Sequence, residues 1–309
     1  MQPPPHVDHG RLILGELLGE GAQAAVHAAT RDGSPRAVKI VDEDQASLRF
    51  VGEVAALRAV PSPHLVKVYA AGSDAGWQWM EMELLTGRTL DGAVRIDGPF
   101  DVPMGLAVAF ELCMGLAALH DRGIVHRDVK PSNAFLSNAC RVGANGVPSP
   151  GPAGGRVVLA DLGVAQLPAG QVGYSTITGT SLGTVDYAAP EQHGDAKRVG
   201  PAADQYGVGA TLYAITAGTR PSYLYARDEM PHIYERCPAP LRELVARCCA
   251  HEPTARFADV RALAAALAAL HEAETGAPCV ERWMAALDAT TPRPAWCVRQ
   301  WWSFRRWLR

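Results

Sequence analysis

Apolar residues alternate with polar ones or with glycine in five short stretches between Arg11 and Leu85: RLILGELLG, AAVHAAT, SPRAVKIV, LVKVYAAG and WQWMEMELL. Each is bounded by Gly, Pro, Asp or Ser, the residues that make turns, so the pattern predicts strands. Between the third and fourth, residues 44–58 place Phe50, Val54 and Leu57 at helical spacing, with Gly52 as a weak point. A small sheet of about five strands with one helix after the third is expected. From Leu90 onward the apolar spacing lengthens, and 103–122, 201–217, 239–249 and 258–272 read as helices, with short strands near 134–137 and 157–160. The pattern divides the chain into a disordered leader (1–10), a sheet-rich lobe (11–84), a helix-rich lobe (85–272) and a C-terminal extension (273–309). The stretch GANGVPSPGPAGG at 143–155 holds five Gly and three Pro, which forbid regular structure and predict an inserted surface loop.

Composition narrows the function classes. At 309 residues the chain is long enough for two lobes around a cleft, and a formal net charge of -3 speaks against a nucleic-acid partner. Seven cysteines, odd in number and without a C-x-x-C pair, signal neither a disulfide framework nor a zinc site. No basic segment followed by an apolar run opens the sequence, so a cytoplasmic protein is expected. The apolar run 102–120 contains Glu111 and reads as a buried helix rather than a membrane span. Only four side chains are lysines, Lys39, Lys67, Lys130 and Lys197, in a chain whose cations are otherwise arginines. A lysine kept against that bias marks a place that needs a compact point charge.

Three segments carry chemistry. In GEGAQAAV (19–26), Gly19 and Gly21 between two strands would let backbone amides approach a polyphosphate, although a plain turn has the same look. In AVKIV, Lys39 alternates with Val38 and Ile40 and points to the opposite face of its strand. An ammonium pointing inward needs a counter-ion, and Glu53 on the following helix is suitable. In IVHRDVKPSNAFL (124–136), charge sits inside an apolar run, where burial makes Asp128 and Lys130 costly without partners or a task. Phosphoryl transfer needs a carboxylate to take the hydroxyl proton, a cation by the migrating group and oxygen ligands for Mg²⁺; Asp128, Lys130 and Asn133 answer these needs. Asp161, at the end of the apolar strand 157–160, supplies the charged metal ligand.

Taken in order, GEGAQAAV, AVK, Glu53, HRDVKPSN, DLG (161–163) and GTVDYAAPE (183–191) resemble the eukaryotic-like, Hanks-type serine/threonine protein kinases of bacteria. The resemblance runs from about Arg11 to Leu270. It implies an α+β, bilobal protein-kinase-like fold: a small antiparallel sheet with one helix in the N-lobe, a mainly helical C-lobe, and ATP between them. It further implies that Asp128, Lys130, Lys39 and Glu53 are catalytic, and that Asn133 and Asp161 hold Mg²⁺ or Mn²⁺. Gly19, Gly21, Val26, Ala37, Lys39, Met82, Glu83 and Leu85 would contact ATP, the segment 82–85 (MELL) acting as gatekeeper and hinge. Lys130 with Thr184 fits the serine/threonine subgroup, Asp204 would hold the backbone around Asp128, and Glu191 with Arg256 would form a buried ion pair. Leu162 stands where Phe is familiar, and Ala24 replaces the third loop glycine.

The segment YSTITGTSLGT (174–184) is crowded with hydroxyls, and Arg127 precedes Asp128, where such kinases pair an activation-loop phosphate. Autophosphorylation at Thr176 and Thr178 is the expectation. In the final fourteen residues, 296–309, four tryptophans accompany Arg299, Arg305, Arg306 and Arg309 without an acid. For this tail, docking onto its own lobe or a partner helix, contact with a membrane surface and a disordered end all stay open, as does the identity of the protein substrate. The alternative from another class is a non-catalytic scaffold that uses the same fold to bind partners through the tail.

Overall fold

The structure, a computed structural model, describes residues 6–20, 24–42, 48–74, 76–137, 156–162, 185–193 and 199–279. Five of its strands are those the alternation predicts: β2 (Leu12–Glu20), β3 (Ala25–Arg31), β4 (Ser34–Asp42), β5 (Val68–Asp74) and β6 (Trp77–Met82). A sixth, β1 (His6–Val7), pairs with the start of β2, and Val7 is fully buried. Residues 6–10 are therefore no disordered leader, and the helix α1 (Leu48–Ala59) follows the SPRAVKIV strand as expected, that strand being β4 because β1 precedes the predicted set. The sheet is antiparallel throughout, in the order β1-β2-β3-β4-β6-β5. Asp32 and Gly33, both at positive φ (51° and 74°), make the tight turn that joins β3 to β4.

The sheet separates two apolar layers. Val38, Ile40 and Trp79 pack with Val7, Leu12 and Ala29 on its outer face. Ala37, Val41, Met80 and Met82 face the other way, into a core that continues through α1 and the helical lobe. Because side chains alternate along β4, Lys39 is carried on this inner face, as expected. The outer face also buries Glu81, which accepts hydrogen bonds from Arg31 and Arg36 at 2.9–3.0 Å.

The second lobe is built on α3 (Val102–His120), α4 (Ala202–Ala217), α5 (Arg242–Cys248) and α6 (Val260–Thr275). The predicted helix 239–249 is shorter as α5, because Pro238 and Pro240 hold residues 239–241 in a 3₁₀ turn. Two elements the periodicity did not announce, β7 (Gly87–Thr89) and α2 (Leu90–Asp97), form around Thr89, whose hydroxyl caps α2 by accepting from Gly92 N at 3.1 Å. β7 completes a three-stranded sheet with β8 (Ala134–Ser137) and β9 (Val157–Leu159). At the far end the folded body extends past residue 272: α6 runs to Thr275, and Cys279 is buried with its Sγ 3.2 Å from Ala268 O. The inserted segment 143–155 and the Trp/Arg-rich tail lie outside the described residues.

Close approach governs how α4 meets the 124–133 segment. A Cβ at Gly207 would lie 2.7 Å from Val129 Cβ and 2.9 Å from Val129 O, so the helix can approach only because the side chain is missing. Gly207→Ala is expected to lower stability by about 1–3 kcal/mol, as overpacking does, measured by denaturant unfolding. An unchanged midpoint would contradict this packing.

α3 is long and apolar enough to cross a membrane by length and composition, yet 83% of that window is buried within the protein. Its one acid, Glu111, accepts from Val157 N at 2.6 Å beside His64, whose Nδ1 lies 3.0 Å from Val157 O. Burial pushes the Glu111 carboxyl up to about 7 and the His64 imidazole down to about 4. For Glu111, the native state binds a proton that the unfolded chain has released above pH 4.5, so its contribution falls as pH rises toward 7. For His64 the unfolded chain binds the extra proton between pH 4 and 6.5, so stability rises over that range and the two effects oppose each other. Relative to the native protein, Glu111→Gln should therefore gain about 3 kcal/mol between acid and neutral pH. Urea unfolding across that range measures it, and a pH-independent difference would refute the assignment.

Candidate active site

β4 and α1 bring the first cluster together. Lys39 Nζ donates to both oxygens of Glu53 at 3.0 and 2.9 Å, and to Asp161 Oδ1 at 2.8 Å. Burial would lower the lysine's pKa, but the two carboxylates overcome it and hold the ammonium above its usual range. For Asp161, desolvation pushes upward and is outweighed by Lys39, with His126 and Lys130 adding to the downward pull. Its side chain keeps about half its surface (51%) open to solvent, so it stays accessible to a ligand.

The second cluster forms on the 124–133 segment. Asp128 Oδ2 accepts from Lys130 Nζ at 2.8 Å and from Asn133 Nδ2 at 2.8 Å, and Asn133 Nδ2 also reaches Asp128 O at 2.9 Å. These bonds gather on one carboxylate oxygen, Oδ2, and among the described residues no hydrogen bond is made to Oδ1. Asn133 meets the first cluster through the backbone, since Ala160 N donates to Asn133 O at 2.8 Å one residue before Asp161.

What shapes this segment is Asp204, at the start of α4 and almost completely buried. Its Oδ2 accepts from His126 N at 2.9 Å and from His120 Nε2 at 2.7 Å, and its Oδ1 from Arg127 N at 2.7 Å. Desolvation would raise this carboxyl, but these donors together hold it below the usual carboxylate range. Arg127 is at φ 67°, a region that side-chain-bearing residues avoid, and the two amide bonds to Asp204 hold its neighbourhood there. Gln192 braces the same residue from the other side, donating to Arg127 O at 2.8 Å. Neither His120 nor Gln192 stands out in the sequence, because their partners are remote in the chain.

The remaining expected positions are placed by strand register, core packing and one ion pair. Gly19 pairs with Val26 across β2 and β3, Val26 lies opposite Lys39, and Ala37 lies opposite Met82. Leu84 and Leu85 are partly buried against the common core. Glu191 and Arg256 form a two-pronged ion pair at 2.7 and 2.8 Å, with the Arg256 side chain fully buried. Gly21, Thr176, Thr178 and Thr184 lie outside the described residues.

Lys39, Asp161, Asn133 and Asp128, distant in sequence, are thus linked by one run of contacts where the sheet-rich and helical lobes join. The protein kinase domain family matches residues 12–267, and the chain belongs to it. It is 32% identical over 281 residues to the serine/threonine-protein kinase PknL of Mycobacterium tuberculosis (strain ATCC 25618 / H37Rv), covering 85% of this chain and 66% of that one. It is 30% identical over 298 residues to the serine/threonine-protein kinase PknB of Mycobacterium leprae (strain TN), covering 89% of this chain and 45% of that one. This chain therefore spans just under two thirds of the first relative and less than half of the second. Among solved structures, Rad53 1–466 in complex with AMP-PNP superposes with a TM-score of 0.61 at 21% identity, over 82% of this chain and 64% of that one, and confirms the bilobal fold.

Proposed function

We propose that the protein is a serine/threonine protein kinase that transfers the γ-phosphoryl group of ATP, with Mg²⁺, to hydroxyl groups of proteins. The observation that carries this is the joining of the Lys39–Glu53–Asp161 cluster to the Asp128–Lys130–Asn133 cluster through the bond from Ala160 N to Asn133 O. The donor set fits a hard divalent cation: Asp161 offers an accessible carboxylate, and Asn133 uses its Nδ2 in the bonds to Asp128, which leaves its carbonyl oxygen for the ion. When bound, the metal would neutralise charge on the phosphates. Lys39, steadied by Glu53, grips the phosphates from the sheet side. Asp128 orients the substrate hydroxyl through its open oxygen and takes its proton as the oxygen bonds to phosphorus and ADP departs. Lys130 balances the charge on the moving phosphoryl group. Autophosphorylation at Thr176 and Thr178, read by Arg127, belongs to the same proposal.

The test is incubation with radiolabelled ATP and Mg²⁺, alone and with a generic basic protein, followed by acid hydrolysis. Acid-stable label on serine or threonine is expected, with label on Thr176 and Thr178 in the enzyme itself. Absence of label would favour the scaffold alternative, and label on tyrosine alone would overturn the subgroup.

A further inference from the structure

Glu83 follows β6 directly, where the chain crosses from one lobe to the other. Its carboxylate is held at both oxygens. Lys67 N donates to Oε1 at 2.9 Å, while Glu83 N returns a bond to Lys67 O at 2.9 Å, closing a reciprocal pair. The other oxygen, Oε2, accepts from Arg156 Nη2 at 2.8 Å.

Arg156 is itself tethered. Its carbonyl accepts from Ser137 N at 3.1 Å, and the next residue, Val157, donates to Glu111 of α3. The 64–67 stretch is bound to the same strand, with Val66 N on Leu159 O and Leu159 N on His64 O, each at 2.9 Å. Three chain segments from both lobes therefore meet around one carboxylate, and β9, which begins after Arg156, ends two residues before Asp161. The crossing point and Asp161 are thus tied to opposite ends of one short strand.

We infer that Arg156 is a positioning residue for nucleotide binding: by fixing Glu83 between Lys67 and β9 it sets the backbone of the crossing segment that meets the adenine edge. The inference rests on the proposed kinase function. It assigns no contact between Arg156 and nucleotide. The Arg156 and Glu83 side chains are 39% and 19% exposed, so the pair is screened in part and its effect is moderate.

Calorimetry on the full chain, with adenosine and magnesium tripolyphosphate as separate probes, tests this. Arg156→Ala should weaken adenosine binding by about three- to five-fold, the loss of one partly exposed ion pair, and leave tripolyphosphate binding unchanged. Arg156→Lys should restore part of the adenosine affinity. Equal adenosine affinity in Arg156→Ala and native protein would overturn the inference. So would an equal loss for both probes, which marks general damage. A native protein that binds neither probe would instead overturn the functional reading, and the inference with it.

Discussion

Asp128→Asn is expected to reduce phosphoryl transfer by about a thousand-fold or more, the scale of a lost general base. The change keeps the size and shape of the side chain. Asn can still accept from Lys130 or Asn133 through its one oxygen, so the loop is held by most of its present bonds. What disappears is the negative charge that accepts a proton and faces the Lys130 ammonium. Initial rates of label transfer measure the effect, and a thermal scan with and without nucleotide serves as control. The melting temperature and its shift on adding nucleotide should stay close to native values. A rate within ten-fold of native would remove Asp128 from the proposed role.

Asp204→Asn should act differently, lowering stability and activity together. The carboxylate accepts from His120, His126 N and Arg127 N across its two oxygens. An amide has one acceptor oxygen, and its NH₂ group would meet a donor, leaving at least one buried N–H unsatisfied. With the partner charge removed from a nearly fully buried position, the expected destabilisation is about 3 kcal/mol. Freed from its anchor, the backbone at Arg127 would relax from φ 67° and move Asp128, its neighbour. Displacements of this kind cost about a hundred-fold in rate. Denaturant unfolding and transfer rates measured well below the new midpoint would separate the two effects; a stable variant with native activity would show that Asp204 is not the anchor.

The contrast between these variants reflects what was legible in the sequence. Lys39 and Glu53 could be read because strand alternation and helix spacing are local rules, and the structure closes the pair at 2.9–3.0 Å. Asp128, Asn133 and Asp161 are legible from polar and charged side chains placed inside or at the end of apolar runs. The two-residue strand at His6–Val7 was not, since it is too short to show a period and is held by tertiary burial of Val7. α2 was missed because its eight residues depend on a Thr89 cap and on packing, with Gly92 in the first turn. Arg156 was hidden for another reason: it follows the Gly/Pro-rich 143–155 stretch, and its partner Glu83 lies 73 residues earlier. Pairings over such spans are set by the fold and leave no local pattern.

The apolar layer on the outside of the first sheet has a practical consequence for choosing fragment boundaries. The family match begins at residue 12, yet trimming the chain there would remove Val7 and uncover Val38, Ile40 and Trp79, along with the hydrogen-bonding edge of β2. Such a piece would present greasy surface beside an open strand, a combination that promotes self-association. Stopping at residue 267 would likewise cut through α6 and discard the cysteine that seals its end. A soluble, monodisperse preparation should retain residues 6–279.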